Sequence, residues 1–260
     1  MVMPESASLG RMMRYIGWPL AMLLAWDVLV TGLYILLPHP DRLIPTLPMT
    51  LLGSALALFI GFRNSAAYAR WWEARTLWGA MVNSSRSFAR EALNLIDNRP
   101  ETLALRQTLV RRQIAYVHAL RCHLRRQECW EEIEPFLPEG EVQELRRMTN
   151  VPNAILTGTD RLITTAAEQG WIDSMRRIQI EQELVAISNA QGGMERIKNT
   201  PLPREYDFYP TLFVRVFCII LPIGLVDSLL LFTPLASTVV GFMFLAMDRI
   251  GADLQNPFAN

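Results

Sequence analysis

The charged residues of this chain are sorted along its length in a way that an ordinary soluble domain does not show. Of the 25 lysines and arginines, 20 lie between Arg63 and Arg204, and 19 of the 25 acidic residues lie between Glu73 and Asp207. The two ends of the chain therefore hold only 5 basic and 6 acidic residues. This segregation predicts that both ends enter a membrane, while the charged middle stays in water.

Four apolar runs are candidates to cross a bilayer, for which a helix needs about 20 residues. They are Tyr15–Leu37, Ile44–Phe62, Thr211–Val226 and Ser228–Met247. The Pro-rich link 38–42, which includes His39, predicts a tight hairpin between the first two runs. Asp227 is expected in the outer turn between the last two runs, and Pro222 predicts a break or kink in the third.

The flanking cations predict the orientation of these runs, because positive residues collect on the cytoplasmic side. The outer connections carry only Arg42, whereas the opposite ends of the runs carry Arg11, Arg14, Arg63, Arg70, Arg75, Arg204 and Arg249. Both termini and the whole region 63–210 are therefore expected in the cytoplasm. The zero net charge argues against a nucleic-acid partner, which would favour a basic excess.

The charged middle shows helical periodicity and no alternating strand pattern longer than four residues. We predict an all-α protein, with helices over Asn64–Asp97, Glu101–Arg126, Gly140–Thr149, Asn153–Gln169 and Ile172–Asn189. The first of these continues the second membrane helix. The expected division is 1–62 for two membrane helices, 63–210 for the cytoplasmic region, 211–247 for two further membrane helices and 248–260 for a cytoplasmic end.

Two stripes on the second apolar run follow the i, i+4 spacing of a helix. Small residues at that spacing let membrane helices approach closely, and they stand at Gly53, Ala57 and Gly61. The adjacent stripe is Ser54, Leu58 and Phe62. If the small stripe packs against a neighbour, the adjacent stripe can face a symmetry axis, where apolar rings gate by dewetting. The alternative from periodicity alone is that Leu58 and Phe62 face lipid.

Several ordered blocks of sequence resemble the bestrophin family, in particular its bacterial branch. The longest block runs from Gly61 through Arg70-Trp71-Trp72 to Gly79. The others are Asn83–Arg90, Glu195-Arg196-Ile197-Lys198-Asn199-Thr200-Pro201-Leu202-Pro203, Leu221–Asp227 and Asn256-Pro257-Phe258. The resemblance covers about residues 10–258.

The resemblance implies a homopentameric ion channel of the bacterial inner membrane, with four membrane helices per subunit and a pore along the five-fold axis. By alignment on Arg70-Trp71-Trp72, the pore neck falls on Ser54, Leu58 and Phe62. Family necks are usually apolar at all three positions, so Ser54 is a departure that suggests a wetter entrance. A second constriction, the cytoplasmic aperture, aligns with Ile172, and Ile178 and Ile180 are alternatives.

The transported ion is expected to be monovalent. Because bacterial members of the family resemble cation-permeable channels, we expect cations; an anion channel of the same architecture, such as a chloride channel, is the alternative. Animal members hold calcium with an acidic run after the Pro-Phe signature. Here only Asp248 and Asp253 lie near Phe258, and a calcium site needs six to eight oxygens. We therefore expect no such calcium site.

The remaining candidate residues indicate structure more than chemistry. His118 and His123 lie near Cys122 and Cys129, but adjacent helix positions point apart, so an ordinary helix is the favoured interpretation over a metal site. The acidic residues around Trp130 are interpreted as a solvated helix end, with weak divalent binding as the alternative; they are Glu128, Glu131, Glu132 and Glu134.

One acid lies within the first apolar run. Asp27 is an intramembrane carboxylate, which is expensive and needs a partner or a water-filled space. Arg215 is a possible partner. No catalytic, metal or cofactor-binding constellation is present in the sequence, so we do not expect an enzyme; a membrane-anchored regulatory adaptor is the rival hypothesis.

Overall fold

The computed structural model describes residues 9–37 and 48–258, with side chains from residue 16 onwards. The hairpin predicted at 38–42, His39 and Arg42 lie outside the described residues. Within them, all regular secondary structure is helical. The α-helices are α1 (Leu9–Leu36), α2 (Met49–Asn94), α3 (Leu103–Arg125), α4 (Trp130–Ile133), α5 (Glu139–Leu145), α6 (Val151–Glu168), α7 (Ser174–Asn199), α8 (Arg204–Leu229) and α9 (Thr233–Gln255). The predicted all-α class is confirmed for this part of the chain.

The helices form two compact units. The apolar unit takes the described residues up to Trp71 and adds Leu202–Gln255, and the polar unit takes Trp72–Pro201 and adds the described residues from Asn256. Helix α2 contributes to both units, because it is one helix of 46 residues. From Met49 onwards, the second apolar run and the following charged segment therefore share one helix, as predicted.

The apolar unit buries a core between α2, α8 and one side of α1. Leu23, Leu56, Ile60 and Phe217 are buried there together with Val214, Cys218 and Leu221. A side chain added at Gly241 of α9 would overlap the end of the Leu23 side chain of α1, which would then have to move. The absence of a side chain thus lets α1 and α9 approach closely, as is typical of packed membrane helices.

Two stretches of the described residues are long and apolar enough to cross a membrane. They are Ile16–Leu36, with a mean hydropathy of 1.8, and the 52-residue stretch Arg204–Gln255, which contains α8 and α9. The second run predicted from the sequence begins at Ile44, outside the described residues. The count of four crossings therefore remains a prediction.

The break between the last two membrane runs does not lie where the sequence suggested. Asp227 was expected in the turn, yet it belongs to the last turn of α8, which also continues through Pro222. The chain instead breaks at Leu230, whose φ of 46° and ψ of −119° end the helix. Helix α9 then begins at Thr233, with Pro234 in its first turn, where proline is favoured.

The polar unit packs α3, α6 and α7 and the second half of α2 around a shared core. Its fully buried side chains include Met81, Phe88, Leu109, Tyr116, Ile163 and Ile187. Two of its helices begin at side-chain caps: Asn150 accepts a bond from the Asn153 amide and Asp173 accepts one from the Arg176 amide. Helix α7 continues to Asn199, ten residues beyond the predicted end at Asn189.

Candidate ion-conduction site

The stripe Ser54, Leu58 and Phe62 lies on an exposed face of α2. Leu58 is 60% exposed and Phe62 is 63% exposed, and Ser54 is exposed as well. The Ser54 hydroxyl donates to the Thr50 carbonyl at 2.7 Å, so its proton is used within the helix. Two bulky apolar side chains and one hydroxyl are thus presented together, one helical turn apart.

The opposite face of α2 is the one that packs within the subunit. Leu56, Ile60, Arg63 and Ala67 are all buried. Because successive residues of an α-helix are about 100° apart, these four side chains point roughly away from the stripe. The subunit core therefore holds α2 with the stripe turned outwards.

The small-residue stripe is only partly packed within one subunit. A side chain added at Gly53 would lie 3.4 Å from the Phe217 ring, whereas one added at Gly61 would meet no atom within 4 Å. Ala57 is exposed. Two of the three small positions are thus open to a partner outside the chain.

The three isoleucines considered for the second constriction have different surroundings. Ile172 is only 4% exposed and belongs to the core of the polar unit, and Ile180 is fully buried. Ile178 is 52% exposed on α7. A side chain that forms a ring with its copies has to project from its own subunit. Ile172 does not meet this condition in the structure, and Ile178 does.

Asp27 is buried within the apolar unit and its partners are hydroxyl groups. Its exposure is 0%, and its two carboxylate oxygens accept bonds from Ser237 Oγ at 3.1 Å and Thr238 Oγ1 at 2.8 Å. The expected partner, Arg215, makes no ion pair within the described part of the chain and is exposed. The proposed Asp27–Arg215 pair is therefore wrong, because two hydroxyls of α9 already satisfy the carboxylate.

A buried ion pair that was not predicted from the sequence lies directly after the stripe. The Arg63 guanidinium is 1% exposed and donates to Asp248 Oδ1 at 2.5 Å and to the Asp248 carbonyl at 2.6 Å. Thr211 donates to the same Asp248 carboxylate at 2.9 Å, and Asp207 lies 3.6 Å from Arg63. The group ties α2 to α8 and α9. In the sequence Arg63 stands out only as a charge that flanks the second apolar run. Asp248, directly after the last apolar run, was the acid that could have been predicted as its partner.

The histidines and cysteines on α3 and directly after it make ordinary contacts. His118 Nδ1 lies 2.7 Å from Glu132 Oε2, and Arg121 is hydrogen-bonded to the same carboxylate. These contacts lower the pKa of Glu132. Burial raises the pKa of the Cys129 thiol to about 11, which keeps it protonated at neutral pH. Among the described residues, no group of three or more potential ligands is arranged to hold a metal ion.

Comparison with known proteins decides the family. The sequence profile of the bacterial/fungal bestrophin proteins matches residues 6–260. The chain belongs to the bestrophin family. This confirms the resemblance seen in the sequence blocks. The family is one of membrane ion channels and not of enzymes.

Relatives and solved structures agree with this assignment. This bestrophin is 38% identical to a voltage-dependent anion channel-forming protein of Ralstonia nicotianae, over 82% of this chain and 69% of the relative. It is 35% identical to a protein of the same description from Escherichia coli K12, over 81% and 68%. A crystal structure of a bacterial bestrophin homologue from Klebsiella pneumoniae matches with a TM-score of 0.85 and 29% identity, covering 94% of this chain and 90% of that one.

Proposed function

We propose that this bestrophin forms a homopentameric channel that conducts monovalent anions through an axial pore. The observation that carries the proposal is the outward-facing stripe on α2, formed by Ser54, Leu58 and Phe62, in a chain that belongs to a channel family. Five copies of this stripe around an axis make three stacked rings. Membership of the family supports this arrangement, since an exposed apolar stripe alone is equally compatible with lipid contact.

The neck controls conduction through wetting. Two rings of Leu58 and Phe62 offer no hydrogen-bonding groups to water, and an apolar constriction of this kind gates by losing and regaining its water column. The Ser54 ring retains acceptor lone pairs on its hydroxyl, although the proton is donated to Thr50. Ions thus meet a more polar ring at Ser54 than at the other two levels.

The predicted membrane runs contain two charged residues, Asp27 and Arg215, while the exposed Asp227 lies at the end of α8, between the last two runs. The acid of the first run, Asp27, is buried and both its oxygens accept hydrogen bonds, so it adds no exposed negative charge. Arg215 is exposed and unpaired within the described residues. The names of the Ralstonia and Escherichia coli relatives point the same way. We therefore propose anion selectivity, in place of the cation selectivity expected from the sequence.

The other parts of the proposal follow from the family and from the cations that flank the apolar runs. The channel lies in the bacterial inner membrane, crosses it four times per subunit and keeps both termini in the cytoplasm. The polar unit is its cytoplasmic part. Ile178 replaces Ile172 as the proposed second ring, because it is the exposed member of the three isoleucines.

A reversal potential in a planar bilayer tests this proposal. The purified protein is placed in a gradient of potassium chloride, and we expect the current to reverse near the chloride equilibrium potential. Arg215→Gln is expected to move the reversal towards zero, because it removes one positive charge per subunit from the membrane runs. Asp27→Asn serves as the matched control and should leave the reversal unchanged, since that side chain is buried.

A reversal near the potassium equilibrium potential would keep the channel and overturn anion selectivity. Absence of current from protein shown to be a folded pentamer, under every voltage and in the Leu58→Ala and Phe62→Ala variants, would count against conduction itself. That second outcome would favour a membrane-anchored regulatory role.

A further inference from the structure

A cavity of about 300 Å³ lies in the polar unit, where the ends of α3 and α7 meet. The polar side chains that line it are His123, Arg126, Gln127, Glu195, Lys198 and Asn199. None of these residues takes part in the candidate conduction site. The cavity reaches the lower end of the size range of small-molecule sites.

Two of the lining side chains are cations without an ion-pair partner. Neither Arg126 nor Lys198 has an acidic group within salt-bridge distance in the described part of the chain. Burial lowers the pKa of Lys198, and the nearby positive charge of Arg126 lowers it further. Arg126 and Lys198 thus line the same cavity as two positive charges, and neither is paired with an acid among the described residues.

The acid in the cavity does not neutralise these cations. Glu195 Oε1 accepts a bond from Gln191 at 2.8 Å and from Asn150 at 3.0 Å, and it lies 3.5 Å from His123 Nε2. Glu195 is therefore held by the Gln191 and Asn150 amides beside His123, and it forms no ion pair with Arg126 or Lys198 among the described residues. The side-chain amides of Gln127 and Asn199 are unpaired within the described residues, so they are available as neutral donors.

The backbone at Arg126 sets where its side chain leaves α3. Arg126 ends α3 in the left-handed region, with φ of 57° and ψ of 41°. Glycine is the usual residue in that position of a helix end, because the left-handed backbone is strained for a residue with a side chain. The chain therefore leaves the axis of α3 at Arg126, whose side chain lines the cavity.

We propose that this cavity binds a phosphate-bearing anion. Arginine offers two parallel donors to a phosphate group, lysine adds a point charge, and the two amides complete a set of donors around an oxyanion. The same chemistry is carried by inorganic phosphate, by a phosphorylated metabolite and by a phospholipid headgroup. The proposal is independent of the ion that the pore conducts.

Calorimetric titration of the full-length protein in detergent with inorganic phosphate tests the site. We expect saturable binding with one site per subunit. Arg126→Gln and Lys198→Gln should each weaken binding at least tenfold, because each removes one of the two unpaired charges. Arg111→Gln is the matched control, since Arg111 is an exposed arginine on α3 that does not line the cavity, and it should bind phosphate as the native protein does.

Two further measurements identify the source of the phosphate group and separate a loss of binding from a loss of folding. If the headgroup is the ligand, nanodiscs of phosphatidylglycerol should compete with inorganic phosphate, whereas neutral-lipid nanodiscs should not; a soluble ligand predicts no difference between the two. Lys198→Arg should restore binding that Lys198→Gln loses. Absence of saturable heat, or equal affinity in the native protein and both Gln variants at unchanged melting temperature, would overturn the proposal.

Discussion

At the scale of single residues, Arg63 sets the direction in which its neighbour Phe62 points. The Arg63 guanidinium is tied to Asp248 and Thr211 on α9 and α8. Adjacent residues on a helix are about 100° apart, so fixing one fixes the other. The buried pair therefore acts on the candidate neck through the rotation of α2 and not through contact with ions.

Loss of the Arg63 guanidinium should destabilise the apolar unit strongly. In Arg63→Gln the Asp248 carboxylate loses its cationic donor and keeps, among the described residues, the Thr211 hydroxyl; breaking a buried ion pair costs about 3–5 kcal/mol. We expect the melting temperature, followed by tryptophan fluorescence in detergent, to fall by several degrees. Arg215→Gln is the control, because Arg215 is exposed and makes no ion pair in the described chain; equal shifts in the two variants would contradict a special role for Arg63.

Truncation of the neck side chains should open the proposed constriction. Leu58→Ala and Phe62→Ala widen the apolar rings and make them easier to wet, so single-channel recordings should show a higher conductance or open probability. Phe59→Ala is the matched control, since Phe59 is an exposed phenylalanine on the same helix but outside the stripe. If Phe59→Ala has the same effect as Phe62→Ala, the axis does not face the stripe.

At the scale of helices, the sequence predicts the elements well and the breaks poorly. Length and hydropathy suffice to predict α1 and the apolar part of α2, because a membrane helix satisfies its own backbone hydrogen bonds. The break at Leu230 was missed because Pro222 and Asp227 looked stronger as helix breakers. The usable signal was Thr233-Pro234, which is typical of a helix start.

The candidate site was predictable only in part for a related reason. Ser54, Leu58 and Phe62 are neighbours at helical spacing, so periodicity alone groups them. The Arg63–Asp248 pair joins residues 185 positions apart, and no local pattern brings them together. Ile172 is an apolar residue of the type expected at an aperture. Whether its side chain is buried or exposed depends on packing between helices that are distant in the sequence, and no local pattern reveals it.

Two acids on neighbouring helices predict a pH-dependent stability of the polar unit. Burial of Glu181 on α7 and the nearby Asp160 on α6 raise the pKa of Glu181 to about 7. Arg177 is 4.0 Å away and offsets this only partly. The native state therefore holds a proton that the unfolded chain releases, so the free energy of unfolding decreases as the pH rises from about 4.5 to about 7.

Glu181→Gln should remove this dependence and stabilise the protein by about 1–2 kcal/mol at pH 8, after allowance for solvent screening. The measurement is the melting temperature at pH 6 and pH 8. The native protein should lose stability between the two, while the variant changes less. Glu183→Gln on the same helix is the control and should follow the native protein. Parallel curves for all three proteins would show that Glu181 does not titrate in this range.

At the scale of the whole molecule, the apolar unit leaves much apolar surface open. Leu58 and Phe62 are joined by Leu51, Phe213 and Val216 among the exposed large side chains. A groove of about 250 Å³ between α2 and α8 is lined almost entirely by apolar residues. Exposed apolar surface of this extent has to be covered by lipid or by other subunits.

The small stripe predicts which part of that surface meets another subunit. Ala57 and Gly61 lie beside the stripe of Ser54, Leu58 and Phe62 on α2. Helices that surround an axis touch their neighbours along the flanks of the face that points inwards, and small side chains there allow a close approach. We therefore expect Ala57 and Gly61 to contact α2 of an adjacent subunit in the proposed pentamer.

Native mass spectrometry from detergent tests this arrangement. Five subunits of 29.6 kDa should give a particle of about 148 kDa. Ala57→Leu and Gly61→Leu should reduce the pentamer fraction, because each places a bulky side chain where two α2 helices meet. Ala25→Leu makes the same change at an exposed position of α1 and should leave assembly intact. A different stoichiometry in the native protein would contradict the pentamer, and intact pentamers in both α2 variants would move the contact away from the small stripe.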